Sequence, residues 1–273
     1  MITQKWLVKN NKYLLGVSHY PDSRIIKGAV LIFPGFSLPM CDVDYFTTKL
    51  ARRLVKKEMY VLQLDPFGHG DSSGSLSEVT LESLRDDALT GLEYLQKIHK
   101  SNVFCVGRGL MANIFAEAAE LPFIKGTIGI NPVCIDPDVI KKLWEKTEVG
   151  VYECSKLLPG SEYSNLTDFS RDKLAFFEAI GARMRNIHGQ YINTEIFKAM
   201  EDEGFMEVLK RCGKGLWFFT DGTCAKGYKT VTAGEIGCRT LDDYYKKAIV
   251  RNPLWQFNLI EDICESIMKR VED

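Results

Sequence analysis

No stretch of this chain is apolar over the roughly 20 residues a bilayer demands, and residues 1–16 hold no apolar core of a secretory leader. A surplus of charge is missing too. Against 35 Lys and Arg stand 36 Asp and Glu, a formal net charge of −1, so nothing marks a nucleic-acid or anionic-membrane footprint. The 8 cysteines (Cys41, Cys105, Cys134, Cys154, Cys212, Cys224, Cys238 and Cys264) form no CxxC pair and have no histidine at metal spacing. They read as free thiols packed as small hydrophobes in a reducing compartment, and no metal or cofactor is expected. Histidine is scarce, 4 in all, and none follows His188. What remains is an ordinary globular composition, 45% hydrophobic and 26% charged over 273 residues. That length buries a large core as one α/β domain with an insertion. A soluble cytoplasmic protein is the expectation.

Short apolar runs alternate with amphipathic stretches, the pattern of a sheet covered by helices. Strands are expected over 5–8 and 13–18, joined by a hairpin turn at Asn10-Asn11. Residues 29–33, apolar on both faces, suit a buried parallel strand, and 60–64, 102–106, 127–130, 216–219 and 247–250 continue the series. Three-to-four spacing puts Phe46, Leu50, Leu54 and Val55 on one helix face, and Leu81, Leu84, Ala88, Leu92, Leu95 and Ile98 on another. Ala112, Phe115, Ala116 and Ala119 mark a third, and Ile260, Ile263, Ile267 and Val271 a closing one. Between Cys134 and Cys212 the rhythm breaks, with helices expected over 173–185 and 194–200. Such an interruption reads as an inserted lid over 134–212, set into a core of 1–133 and 213–273. Phe176, Phe177, Ile180 and Met184 are most simply the face by which a lid helix packs on the sheet; lining an apolar pocket is the other reading.

Phe33-Pro34-Gly35-Phe36-Ser37 closes the first buried strand, and Asp65-Pro66-Phe67-Gly68-His69-Gly70-Asp71-Ser72 closes the second. Together they resemble α/β hydrolases, where a strand ends in Asp and leads into Gly-His-Gly-x-Ser, and within them the serine-aminopeptidase and lysophospholipase branch. The resemblance runs from Ala29 to the end. Asn131-Pro132-Val133, Gly189-Gln190-Tyr191-Ile192 and Asn252-Pro253-Leu254-Trp255-Gln256-Phe257 are similar to segments of exosortase-associated hydrolases, proteins linked to bacterial exopolysaccharide systems. It implies the α/β-hydrolase fold, a mostly parallel central sheet flanked by helices with a helical lid. It also implies an oxyanion-hole N–H at Phe36 and a small-molecule or acyl ligand near Phe36, Ser37 and Trp255.

That fold carries its nucleophile on a strained strand-to-helix elbow, Gly-x-Ser-x-Gly, whose backbone N–H helps bind the oxyanion. The corresponding segment here is Val106-Gly107-Arg108-Gly109-Leu110-Met111. Gly109 takes the place of the serine, and a glycine carries no nucleophile. The general base belongs after the last strand, where Asn252, Pro253, Leu254 and Trp255 stand. Asp221 sits where the acid belongs, vestigial without an imidazole to orient. Arg108 and the helix N-terminus at Leu110 suit a carboxylate or phosphate; a surface or salt-bridged arginine is the plainer reading. Gly70-Asp71-Ser72-Ser73-Gly74 satisfies the elbow motif as text but follows the wrong strand. His19, His69 and His99 read as surface or core histidines.

Three functions follow. The first is a non-hydrolytic binding or accessory member with a retained pocket. The second is a hydrolase of esters, thioesters or amides that draws a relocated nucleophile or base from Ser37, Ser72, Cys134, Cys224 or His188. The third is a dinucleotide binder, since residues 107–112 also fit Gly-x-Gly-x-x-Ala, although on the third buried strand and with Ile130-Asn131-Pro132 where the ribose-binding acid is expected. Oligomeric state is not encoded in any visible pattern.

Overall fold

The computed structural model describes residues 1–23, 25–100, 102–157, 168–187, 189–219, 238–240 and 254–272. β1 (Ile2–Lys9) and β2 (Lys12–His19) form an antiparallel hairpin. Asn10 and Asn11 turn it with φ of 52° and 61°, the left-handed pair a two-residue hairpin loop requires. The chain continues through β3 (Gly28–Ile32), α1 (Phe46–Val55), β4 (Met59–Leu64), α2 (Leu81–Ile98), β5 (Val103–Arg108), α3 (Leu110–Ala118) and β6 (Ile124–Ile130). Every residue of β3, β4 and β5 is buried, which is why these strands are apolar on both faces apart from Gln63 and Arg108.

Between β6 and the next strand of the main sheet lie α4 (Pro137–Trp144), β7 (Val151–Glu153), α5 (Cys154–Leu157), α6 (Asp168–Ala179), α7 (Met184–Ile187), β8 (Tyr191–Asn193), α8 (Glu195–Glu201) and α9 (Phe205–Arg211). Then come β9 (Gly215–Phe219), β10 (Cys238–Thr240) and a closing helix, Leu254–Glu272. The main sheet runs β1-β2-β4-β3-β5-β6-β9-β10, parallel from β4 onward, and β7 pairs with β8 apart from it.

Alternate side chains of the strands feed two layers. Leu31, Leu62 and Leu64 pack with Leu84, Leu92 and Phe115 of α2 and α3. Val30, Ile32 and Val61 pack with Leu50 and Leu54 of α1 and with Ile260, Ile263 and Ile267 of the closing helix. Among the described residues no helix is long and apolar enough to cross a membrane.

Three expectations change. β10, only three residues long, has no periodicity to announce it; the strand expected over 247–250 lies outside the described residues. The single helix expected over 173–185 breaks after Ala179, because Gly181 takes φ +97° and turns the chain away. Phe176 and Phe177 find their ring partners within the interstrand segment itself rather than on the sheet. Both stand edge-on to Trp144, which stacks on Phe197 at 4.2 Å. The side chain of Met184 lies outside the described residues.

Candidate functional site

β5 ends at Arg108 and α3 starts at Leu110, leaving Gly109 alone to make the turn at φ 57°, ψ −130°. Side-chain-bearing residues take that backbone conformation only under strain, as the nucleophile of this fold does. The helix presses close on the strand: a Cβ on Gly107 would lie 2.7 Å from the backbone of Met111. The strand-to-helix turn is therefore sharp, with a hydrogen atom in place of a side chain at its tip.

The space above that hydrogen is filled. A Cβ on Gly109 would stand 2.4 Å from the carbonyl carbon and oxygen of Ile180 and 2.6 Å from the nitrogen of Gly181. The Leu110 N–H, the first of α3, donates to the Ile180 carbonyl at 3.1 Å. The next peptide, at the Gly181 carbonyl, approaches the Gly35–Phe36 segment in the same way. A Cβ on Gly35 would meet the Gly181 carbonyl at 2.4 Å, and a Cβ on Gly181 would lie 3.1 Å from the Phe36 nitrogen. For the dinucleotide reading the consequence is direct: the helix amide that would greet a pyrophosphate already has an acceptor.

Arg108 does not face a vacant anion site. Its Nε donates to Asp42 Oδ2 at 2.7 Å, both side chains are buried, and its guanidinium lies 5.2 Å from the Phe46 ring centre. The salt-bridged reading of Arg108 is the one this pairing supports, its charge being matched inside the fold.

The glycine loop is a structural brace. Ser72 Oγ donates to the Asp65 carbonyl at 2.6 Å and accepts the Leu15 N–H at 2.8 Å, while Ser73 Oγ accepts the Tyr13 N–H. Both hydroxyls tie the loop to β2. Asp65 accepts the N–H groups of Met40 and Asp71, and Asp87 accepts that of Phe67; burial pushes each carboxyl up to about 6. His69 Nδ1 lies 2.9 Å from the Phe67 carbonyl and its ring stands edge-on to Phe36, with centres 5.5 Å apart. Burial pulls its pKa down to about 4. Two buried atoms here make no hydrogen bond: His69 Nε2 and Ser37 Oγ.

The remaining candidates are placed as follows. His19 pairs with Gln63, and His99 accepts the Asn102 N–H. The Cys134 thiol points at the Pro132 carbonyl. Asp221, Cys224, His188 and the side chain of Trp255 lie outside the described residues. Sequence reasoning missed Asp42, Ile180 and Gly181. Of these, Ile180 entered only as part of an apolar helix face, which says nothing of what its backbone carbonyl meets.

No protein-family model and no curated protein matches the sequence. Solved structures do. Est1E from Butyrivibrio proteoclasticus, in the form with bound ferulic acid, is similar with a TM-score of 0.68 at 13% identity, over 98% of this chain and 100% of that one. The alpha/beta hydrolase GrgF from Penicillium sp. sh18 gives 0.70 at 11% identity over 100% of both chains. Alpha/beta hydrolase domain-containing protein 10 from mouse gives 0.60 at 16%, over 98% of this chain and 99% of that one. Identities this low carry the architecture and leave the chemistry to the site. With the sheet order and the turn at Gly109, they establish that this chain has the α/β-hydrolase fold.

Proposed function

We propose that this chain is a non-hydrolytic member of its fold, a binding or accessory protein with residues 134–212 as a lid over a core of 1–133 and 213–273. One observation carries the reading. Residue 109 is glycine, and the Ile180–Gly181 backbone fills the space its Cβ would need. Acyl transfer needs both a nucleophile at that point and a free N–H for the developing oxyanion. The first is missing, and the Leu110 N–H is taken. A small-molecule or acyl ligand is the partner this reading favours, with Phe36, Ser37 and Trp255 as its contacts; Est1E, of the same fold, holds ferulic acid. Purified protein assayed against a panel of esters, thioesters and peptide amides is expected to show no turnover. Turnover abolished by one substitution near the elbow would end the proposal.

One observation favours a hydrolase with a relocated nucleophile: the unpartnered Ser37 Oγ follows Phe36, and His69, with its unpartnered Nε2, stands edge-on to that ring. Against it, the two atoms do not bond each other, and a histidine held near 4 is a poor base at neutral pH. Fluorophosphonate labelling with peptide mapping separates the readings. A stoichiometric adduct on Ser37 would establish the second; no adduct there is the expected result.

A further inference from the structure

We infer that the C-terminus of α6 is the resident ligand of the elbow, a built-in latch that holds the interstrand segment onto the core through the oxyanion-binding amide. The inference deepens the non-hydrolytic reading and rests on the same placement of the elbow at Gly109.

The last carbonyls of a helix and the first N–H groups of another are both left without partners inside their own helices. α6 closes with a pair of turning hydrogen bonds: Gly181 N–H to the Glu178 carbonyl at 3.0 Å, and Ala182 N–H to the Phe177 carbonyl at 2.9 Å. Gly181, at φ +97°, supplies the left-handed residue such a closure requires. The buried Ala182 and Phe177 provide the apolar contact that accompanies it. Those bonds leave the Ile180 carbonyl over, and its donor is the Leu110 N–H, in the first turn of α3. The negative end of one helix thereby meets the positive end of another, the position where catalysts of this fold hold a developing oxyanion.

Three glycines from separate segments make the meeting sterically feasible. A Cβ on Gly35 would strike the Gly181 carbonyl, one on Gly109 would strike Ile180, and one on Gly181 would lie 3.0 Å from the Gly35 Cα. Each is small because another backbone is there. Gly109 is thus more than a lost serine; it is one wall of the latch. Whatever reaches the elbow must first displace the Ile180 carbonyl.

Amide hydrogen exchange on the intact protein, resolved by residue with NMR, tests this. The Leu110 amide is expected to be protected in the wild type and to show a scalar coupling across its hydrogen bond to the Ile180 carbonyl carbon. Gly181→Ala, which cannot hold φ +97° without strain, should speed Leu110 exchange by roughly two- to tenfold, the loss of one hydrogen bond. The amides inside β5 should keep their rates. A wild-type Leu110 amide that exchanges freely, or protection unchanged in a folded Gly181→Ala, overturns the latch. Should that variant fail to fold, the wild-type coupling decides alone, its absence counting against. Neither readout involves turnover, so a latched protein that hydrolyses esters would sink only the functional reading, and an unlatched inert one only the latch.

Discussion

Gly109 and Arg108 are neighbours whose meaning differs from what their residue types suggest. Gly109 is held at φ 57°, ψ −130°, with the Ile180 peptide where a Cβ would go, so Gly109→Ala should cost about 3 kcal/mol or more. Gly213, where a Cβ would meet nothing within 4 Å among the described residues, is the control, and Gly213→Ala should stay within about 0.5 kcal/mol. Urea unfolding of the two variants checks the contrast; equal losses would mean that the contact above Gly109 does not exist in solution. Arg108 is matched by Asp42 at 2.7 Å in a buried setting. Arg108→Met leaves that carboxylate without its guanidinium and should cost about 3–5 kcal/mol. In a double-mutant cycle with Asp42→Asn, the combined loss should fall short of the sum of the single losses. An additive cycle would show that the two side chains do not meet.

At the scale of elements, local chemistry decides what a sequence shows. The Asn10-Asn11 hairpin was readable because left-handed backbone at two successive residues selects a small set of side chains. Asn11→Val places a β-branched residue at φ 61° and should lower stability by about 1–2 kcal/mol, read as a drop in thermal midpoint; an unchanged midpoint would place the turn elsewhere. The buried strands were readable too, since apolarity on both faces leaves few alternatives. The end of α6 was not. Its apolar spacing runs on past Ala179 through Ile180 toward Met184, and only the backbone of Gly181 against Gly35 stops the helix. β10 escaped for another reason: three residues beside one neighbour, β9, carry no period.

Over the whole molecule, the glycine loop couples folding to pH. Asp65 and Asp87 are held at about 6 by burial, so the folded chain keeps protons that an unfolded carboxylate would release near 4. Each therefore favours the fold at low pH, and that contribution is lost as pH rises from about 4 through about 6. His69, pulled down to about 4, acts in the opposite sense: its contribution is lost as pH falls from about 6.5 toward 4. Two carboxylates against one imidazole leave a net loss on going up through this window from these three groups. Asp87→Asn keeps an acceptor for the Phe67 N–H while removing one titration. Relative to wild type, its stability at pH 7.5 compared with pH 4.5 should improve by about 2 kcal/mol. Urea unfolding at both values checks this, and parallel pH profiles for the two proteins would show that Asp87 is not buried as described.

By itself, the sequence determined the layered α/β plan, the turn between the third buried strand and its helix, and the absence of a side chain at Gly109. Each of these depends on residue type and short-range spacing, and a glycine's missing side chain needs no neighbours to be known. Only the tertiary structure decided that Arg108 is already paired, that Ser72 braces β2, and that the Ile180 carbonyl accepts the Leu110 N–H. Asp42 is 66 residues from Arg108, so their meeting follows from how the sheet and helices close on one another and leaves no local periodicity to read. The latch is equally non-local. It joins helix ends from distant parts of the chain through backbone groups, which every residue carries and no sequence pattern reveals.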